Sequence, residues 1–170
     1  MHREGLVIVH PAVLGVLAGI AILGIGISAT PRDARGRASL LLPDVKAVQD
    51  YQQEARASLR DLRAADSELA AIVAGEQGDL LDRGRVAQRV LERIVRVLQT
   101  VDRRSAPPAL VSVHEALSQA ALLYLDAARA TLSCVTLPDE EHREIAREAL
   151  QRARQARVVV ESDEWMMLQP

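Results

Sequence analysis

Residues 43–78 read PDVKAVQDYQQEARASLRDLRAADSELAAIVAGEQG, and the periodicity of this stretch decides the fold. Apolar positions alternate at spacings of four and three residues, which predicts a helix that packs against other helices. Pro43 and Asp44 suit the first turn of a helix, and Gly75 and Gly78 suit its C-terminal cap. The stripe consists of Val48, Gln52, Ala55, Leu59, Leu62, Asp66, Leu69 and Val73.

Two positions of this stripe, Gln52 and Asp66, are polar where a core is expected. Polar residues at such positions can fix the register of packed helices by hydrogen bonding, which is the interpretation that we favour. The alternative is that this face of the helix is not fully buried.

Three further amphipathic segments follow, at 79–104, 107–135 and 137–161, so that with 44–75 they form four helices over residues 44–161. Asp79 is the expected N-cap of the second, and Thr136 that of the fourth, with Asp139 in position N3. Their stripes are Leu80, Gly84, Ala87, Leu91, Ile94, Leu98 and Val101, widened by Val90, Val95 and Val97; then Leu110, Val113, Leu117, Ala120, Tyr124, Ala127, Thr131 and Cys134; and finally Ala146, Leu150, Ala153 and Val160.

The composition supports an all-α protein. Phe is absent, aromatic residues make up 2% of the chain, and strand-forming residues do not cluster between turns. Short connections between amphipathic helices favour an antiparallel, up-down-up-down four-helix bundle.

An apolar run precedes the bundle and extends from Leu6 to Ala29, interrupted only by His10 and Ser28. It is long enough to cross a bilayer as a helix, so residues 6–30 are predicted to be a single transmembrane anchor. Residues 1–5 then form a short N-terminal tail and residues 31–43 a linker. A cleaved signal peptide is the alternative, but its apolar core would be shorter.

Gly15 and Gly19 form a GxxxG pair within this run. Such glycines let two membrane helices approach closely, which predicts a packing face for self-association or for another membrane subunit. Glycine is also frequent in membrane helices without any pairing role.

Two observations give opposite indications of the side of the membrane on which the bundle lies. Arg32, Arg35 and Arg37 follow the apolar run and favour a cytoplasmic bundle, whereas an uncleaved export signal would place it outside. Residues 106–110, APPAL, with His114 after them, resemble a pattern in bacterial secreted or membrane-anchored helical-bundle proteins of no known activity. The resemblance implies an extracytoplasmic bundle on a bacterial-type cell membrane, and it implies no function.

No catalytic residue, metal site or cofactor is expected. The net charge is −2 with interspersed signs, which does not favour nucleic acid as a partner. A Glu-x-x-His type of motif occurs once, as Asp139 and His142, whereas a di-iron site needs two copies. There is no Cys-x-x-Cys-His haem motif, and Cys134 falls on the third apolar stripe, where it acts as a small hydrophobic residue.

The C-terminal tail, residues 162–170, contains Trp165, Met166, Met167 and Leu168 in succession. We expect these side chains to fold back and close one end of the bundle. The alternative is an exposed contact for a partner or a membrane.

The sequence thus predicts a membrane-anchored, non-enzymatic helical bundle that acts as an accessory or scaffold subunit of a membrane complex. The lipid bilayer and other membrane subunits are its expected partners. The second hypothesis is an extracytoplasmic ligand-sensing bundle that holds a small ligand near Gln52, Asp66 and Tyr124.

Overall fold

The computed structural model describes residues 43–76 and 78–167, which are helical throughout apart from short connections. The prediction of an all-α fold with four long helices is therefore confirmed, and no strand occurs in this part of the chain. The helices are α1 (Pro43–Ala74), α2 (Leu80–Arg103), α3 (Val111–Thr136), α4 (Glu140–Glu161) and the short α5 (Glu164–Met167), with a 3₁₀ turn at Pro108–Leu110 before α3.

The predicted membrane anchor at 6–30, its Gly15 and Gly19, and the linker up to residue 42 lie outside the described residues. Leu168 also lies outside them. Among the helices between residues 43 and 167, none is both long and apolar enough to cross a membrane.

Ion pairs show that α2 runs antiparallel to α1. Glu54, in the first half of α1, pairs with Arg104 just after the end of α2. Glu68, further along α1, pairs with Arg93, which comes earlier in α2. Advancing along one helix therefore means moving backward along the other.

The other two long helices continue the alternation. Tyr51 near the start of α1 contacts His114 near the start of α3, so these two helices run in the same direction. Asp66 of α1 pairs with Arg154 of α4, whereas Arg63 pairs with the later Glu161, so α4 is antiparallel to α1. The described residues thus form an up-down-up-down bundle.

Helix α3 is the central element of the core, and it packs against α1, α2 and α4. Its apolar stripe contains several alanines, which let the neighbouring helices approach its backbone closely. The predicted stripe is confirmed, because each of its members is buried: Leu110, Val113, Leu117, Ala120, Tyr124, Ala127, Thr131 and Cys134.

The predicted stripe of α2 is only partly right. Leu80 is 53% exposed, and Leu91 and Leu98 are half-buried at the edge of the core. Two of the three residues that were expected only to widen the face, Val90 and Val97, are almost completely enclosed, whereas Val95 is 36% exposed. Compared with the predicted face, the buried face of α2 is shifted towards the two enclosed valines. The buried stripe is Ala87, Val90, Ile94, Val97 and Val101.

Glycine ends α1 as the sequence suggests. Gly75 has a φ of +77°, and its N–H donates to the carbonyl of Ile72. The N–H of Glu76 donates to the carbonyl of Ala71. These two bonds form a Schellman motif, which needs a left-handed residue at the position that Gly75 occupies.

The prediction for the start of the fourth helix is wrong. Thr136 is the last residue of α3, and its hydroxyl donates to the carbonyls of Leu132 and Ser133. Asp139 is the N-cap of α4, because its carboxylate accepts a hydrogen bond of 2.8 Å from the N–H of His142. An aspartate with extended backbone satisfies the orphan N–H groups better than a threonine that still belongs to the preceding helix.

Candidate functional site

The C-terminal segment folds back onto the first half of α1. The side-chain amide of Gln52 donates to the carbonyl of Trp165 at 2.8 Å, and the guanidinium of Arg56 donates to the carbonyl of Met166 at 3.3 Å. Gln52 is 8% exposed, so its polarity on the α1 stripe is used to hold α5. Among the described residues the side chain of Gln52 bonds to α5 and not to another long helix, so its predicted role in fixing the register of the long helices is not confirmed.

Of the three apolar side chains of α5, one packs against the bundle and two are exposed. Met166 is half-buried against the main core. Trp165 is 39% exposed and Met167 is 61% exposed. The expectation that the tail closes the bundle therefore holds for Met166, whereas Trp165 and Met167 remain available for contact.

A local turn directs the chain back into α5. The N–H of Ser162 donates to the carbonyl of Val158, which ends α4. Asp163 then accepts a hydrogen bond of 2.9 Å at Oδ1 from the N–H of Trp165, which caps the start of α5. The acidic stretch before the tryptophan is thus part of the turn.

The second polar stripe position, Asp66, lies in a charged cluster between α1 and α4. Its Oδ1 accepts a hydrogen bond of 2.7 Å from Nε of Arg154. The Asp66 side chain is 15% exposed and that of Arg154 is 39% exposed, so the pair is partly removed from water. Charge-assisted hydrogen bonds of this kind are about twice as strong as neutral ones.

Tyr124 of α3 reaches the same cluster from the core. It is completely buried, and its hydroxyl lies near the Asp66 carboxylate but makes no hydrogen bond of ordinary geometry among the described residues. Burial raises the pKa of Tyr124 above its usual range, and the nearby carboxylate of Asp66 raises it further. Arg157 and Arg154 oppose this shift in the pKa of Tyr124, because their positive charges favour a tyrosinate.

Arg157 connects this cluster to the end of α4. Its Nη1 lies 3.5 Å from Glu161, and the same carboxylate accepts a hydrogen bond of 2.9 Å from Arg63 of α1. Nε of Arg157 is buried and has no partner in residues 43–76 and 78–167. Sequence reasoning missed Arg157, although it lies midway between Ala153 and Val160, where the stripe of α4 lacks an apolar residue.

Tyr51 and His114 form a separate contact at the end of the bundle where α1 begins. The hydroxyl of Tyr51 lies 2.9 Å from Nδ1 of His114. Burial, with a smaller contribution from Glu54, raises the pKa of Tyr51 to about 12. The hydroxyl therefore stays protonated at neutral pH and can donate to a neutral His114.

The sequence motif that most resembled a metal ligand has a structural role. Nδ1 of His142 lies 2.7 Å from Oδ1 of Asp139, the carboxylate that caps α4. Within the described ranges, no group of three or more His, Cys, Asp or Glu side chains is placed to hold a metal ion.

The bundle carries a surface groove of about 790 Å³ between α1 and α4, on the side of Arg154 towards the start of α4. Ala70, Val73 and Ala74 line its α1 side, and Leu150 with charged and amide side chains of α4 lines the other. The small alanines leave this space open. The groove is not lined by Gln52, Asp66 or Tyr124, which are the residues of the predicted ligand site.

In comparisons with known proteins, the chain matches no family model, no curated protein and no solved structure.

Proposed function

We propose that the protein is a membrane-anchored, non-enzymatic bundle that acts as an accessory or scaffold subunit of a membrane complex. The observation that carries the proposal is how the bundle uses its internal polar groups. Gln52 holds α5, and Asp66 holds α4. Side chains that a catalytic or binding site would present to a substrate are here used in contacts between helices.

The sequence supplies the second part of the proposal. The run from Leu6 to Ala29 is apolar enough to anchor the bundle to a bacterial-type cell membrane. The resemblance at residues 106–110 favours the extracytoplasmic side for the bundle.

Gentle detergent extraction followed by sizing tests this function. We expect the full chain to sediment with membranes, resist alkaline washing, and elute after extraction with other membrane proteins or as an oligomer. A monomer that elutes without any other protein would contradict the scaffold role. Protease access to the bundle in intact cells then identifies the side of the membrane.

The proposed packing face of the anchor has its own matched test. Gly15→Leu with Gly19→Leu should weaken association of the full chain in detergent, because the bulky side chains separate the helices. Gly24→Leu, compared with each single change at Gly15 or Gly19, is the control, since it adds the same bulk outside the GxxxG pair. Equal effects of both changes would argue against pairing through Gly15 and Gly19.

One observation favours the second candidate, an extracytoplasmic ligand-sensing bundle. Tyr124 Oη and Arg157 Nε are both buried without a hydrogen-bond partner in the described part of the chain, and buried polar groups normally have one. A small polar ligand, or one buried water, would satisfy them. A thermal-shift screen of small polar compounds tests this: a ligand that stabilises the parent but not Tyr124→Phe supports the sensing role.

A further inference from the structure

We propose that the outer face of α5 and the adjoining strip of α1 lie on the surface of a bilayer that contains anionic lipid, with Trp165 and Met167 in the interfacial region. This inference rests on the proposed membrane anchoring. It adds which surface of the bundle faces the membrane and which lipid charge that surface prefers.

The apolar part of this surface is presented by a fixed backbone. The carbonyls of Trp165 and Met166 are bonded to α1, whereas the side chains of Trp165 and Met167 are exposed. Tryptophan is enriched at membrane interfaces because its ring is apolar and its N–H is polar. Trp165, the single tryptophan of the chain, is thus placed as an interfacial residue would be.

The basic part of the surface lies beside α5. A shallow groove of about 310 Å³ separates α1 from the C-terminal segment. Glu161 is the one carboxylate that lines this groove in the described part of the chain, and Arg63 and Arg157 pair with it. The groove is lined by Arg56, Leu59, Arg60, Arg63, Glu161 and Met166.

Arg60 is a further cation of this groove, and among residues 43–76 and 78–167 no counter-ion faces it. It is exposed, and within the described residues it forms neither an ion pair nor a hydrogen bond. A guanidinium that shares a groove with Met166, the residue between Trp165 and Met167, suits the boundary between phosphate headgroups and acyl chains.

Chain connectivity argues for a bilayer as the occupant of this surface. Twelve residues separate the predicted span at 6–30 from Pro43, and an extended chain of that length reaches at most about 40 Å. Trp165 is held at the level of Gln52, near the start of α1. The far end of α1, at Ala74, lies about 46 Å from Pro43 along the helix, and the exposed Leu80 and Leu81 follow it there.

The intrinsic fluorescence of Trp165 in the full chain tests the proposal. The chain is reconstituted into phosphatidylcholine vesicles with and without phosphatidylglycerol, and flotation shows whether it is bound. Lipids brominated near the headgroup and aqueous acrylamide then serve as quenchers. We expect bromolipid quenching about twofold stronger in anionic than in neutral vesicles, with reduced acrylamide access.

Two matched controls isolate the surface. Trp165→Phe combined with Leu81→Trp moves the single reporter to an exposed apolar position at the opposite end of the bundle, where bromolipids should not quench it. Arg60→Glu should lower bromolipid quenching of Trp165. Arg89→Glu, an exposed arginine of α2, should leave the quenching unchanged.

The outcomes separate the two proposals. A chain that does not float with vesicles overturns both the anchoring and this inference. A chain that floats, but whose Trp165 is quenched by acrylamide and not by bromolipid, overturns this inference alone. If the protection of Trp165 from acrylamide depends on protein concentration and not on lipid, this inference is also overturned. That result would indicate a second copy of the chain on this face.

Discussion

Nε of Arg154 on α4 lies 2.7 Å from Oδ1 of Asp66 on α1, and this contact joins the first and last long helices of the bundle. These two helices are not consecutive, so no short loop holds them together. Helix α4 packs less extensively against α1 than against α3. The Asp66–Arg154 pair therefore stabilises the interface between α1 and α4, which has less packing to hold it together.

We predict that Asp66→Ala destabilises the bundle by about 2 kcal/mol, because it leaves Arg154 without its partner in a partly dry site. The value lies below that of a fully buried pair because the Arg154 side chain is 39% exposed. Chemical denaturation monitored by circular dichroism measures the change.

The control for this prediction is Asp61→Ala. Asp61 is exposed on the same helix and forms no ion pair in the described structure, so its loss should change the free energy of unfolding by less than about 0.5 kcal/mol. Equal effects of the two substitutions would show that the Asp66–Arg154 pair does not join the helices.

The two tyrosines predict a loss of stability in strong alkali. Burial raises the pKa of Tyr51 from 10.0 to about 12, and that of Tyr124 is also raised. A raised folded-state pKa contributes stability that is complete below pH 10 and is lost as the pH rises through about 12. The contribution of the two tyrosines to the free energy of unfolding should therefore stay constant up to about pH 9 and fall above pH 10.

Absorbance at 295 nm measures this directly, since tyrosinate absorbs there and Tyr51 and Tyr124 are the two tyrosines of the chain. Ionisation should coincide with unfolding followed by circular dichroism. Tyr51→Phe should reduce the alkaline loss of stability. Full ionisation near pH 10 in a chain that is still folded would contradict the burial of both hydroxyls.

The sequence predicted the fold wherever one stripe was unambiguous. In α3 the apolar residues leave a single choice of buried face, and that face is the observed one. In α2 two stripes compete, since Leu91 and Leu98 are as apolar as Val90 and Val97. Periodicity alone could not choose between them, because the choice depends on how closely the alanine-rich α3 lets α2 approach.

The polar contacts were less predictable than the stripes. Asp66 was recognisable as a polar residue in an apolar position, but its partner Arg154 lies beside the α4 stripe, and nothing local distinguishes it from other arginines. Trp165 was recognisable as unusual in composition. That Gln52 would bind its carbonyl depends on a contact across 113 positions of sequence, which no local pattern encodes.

The start of α4 gives a direct test of the corrected N-cap. Asp139→Ala should lower the melting temperature by a few degrees, because it removes the acceptor for the N–H of His142. Thr136→Ala is the matched control at the position predicted from sequence, and it should have little effect. The reverse order of effects would restore Thr136 as the cap.

This cap also has a defined pH dependence. Hydrogen bonds from the backbone and side chain of His142 lower the pKa of Asp139 below its ordinary value of 3.8. A lowered folded-state pKa contributes stability that is present above that ordinary value and is lost as the pH falls through the folded value. The difference in melting temperature between the parent and Asp139→Ala should therefore shrink below about pH 4.

The two adjacent methionines of α5 test how the tail is held. Met166 packs against the core, whereas Met167 is 61% exposed, although both are in the same short helix. Met166→Ala should destabilise the bundle by about 1–2 kcal/mol, less than a fully buried methionine would, because the side chain is half-buried. Met167→Ala should stay within about 0.5 kcal/mol of the parent. Denaturant unfolding measures the free energy of unfolding of both variants, which carry the same substitution at adjacent positions. If Met167→Ala were the more damaging, the tail would dock through its other face, and the surface that we assign to the membrane would instead lie inside the bundle.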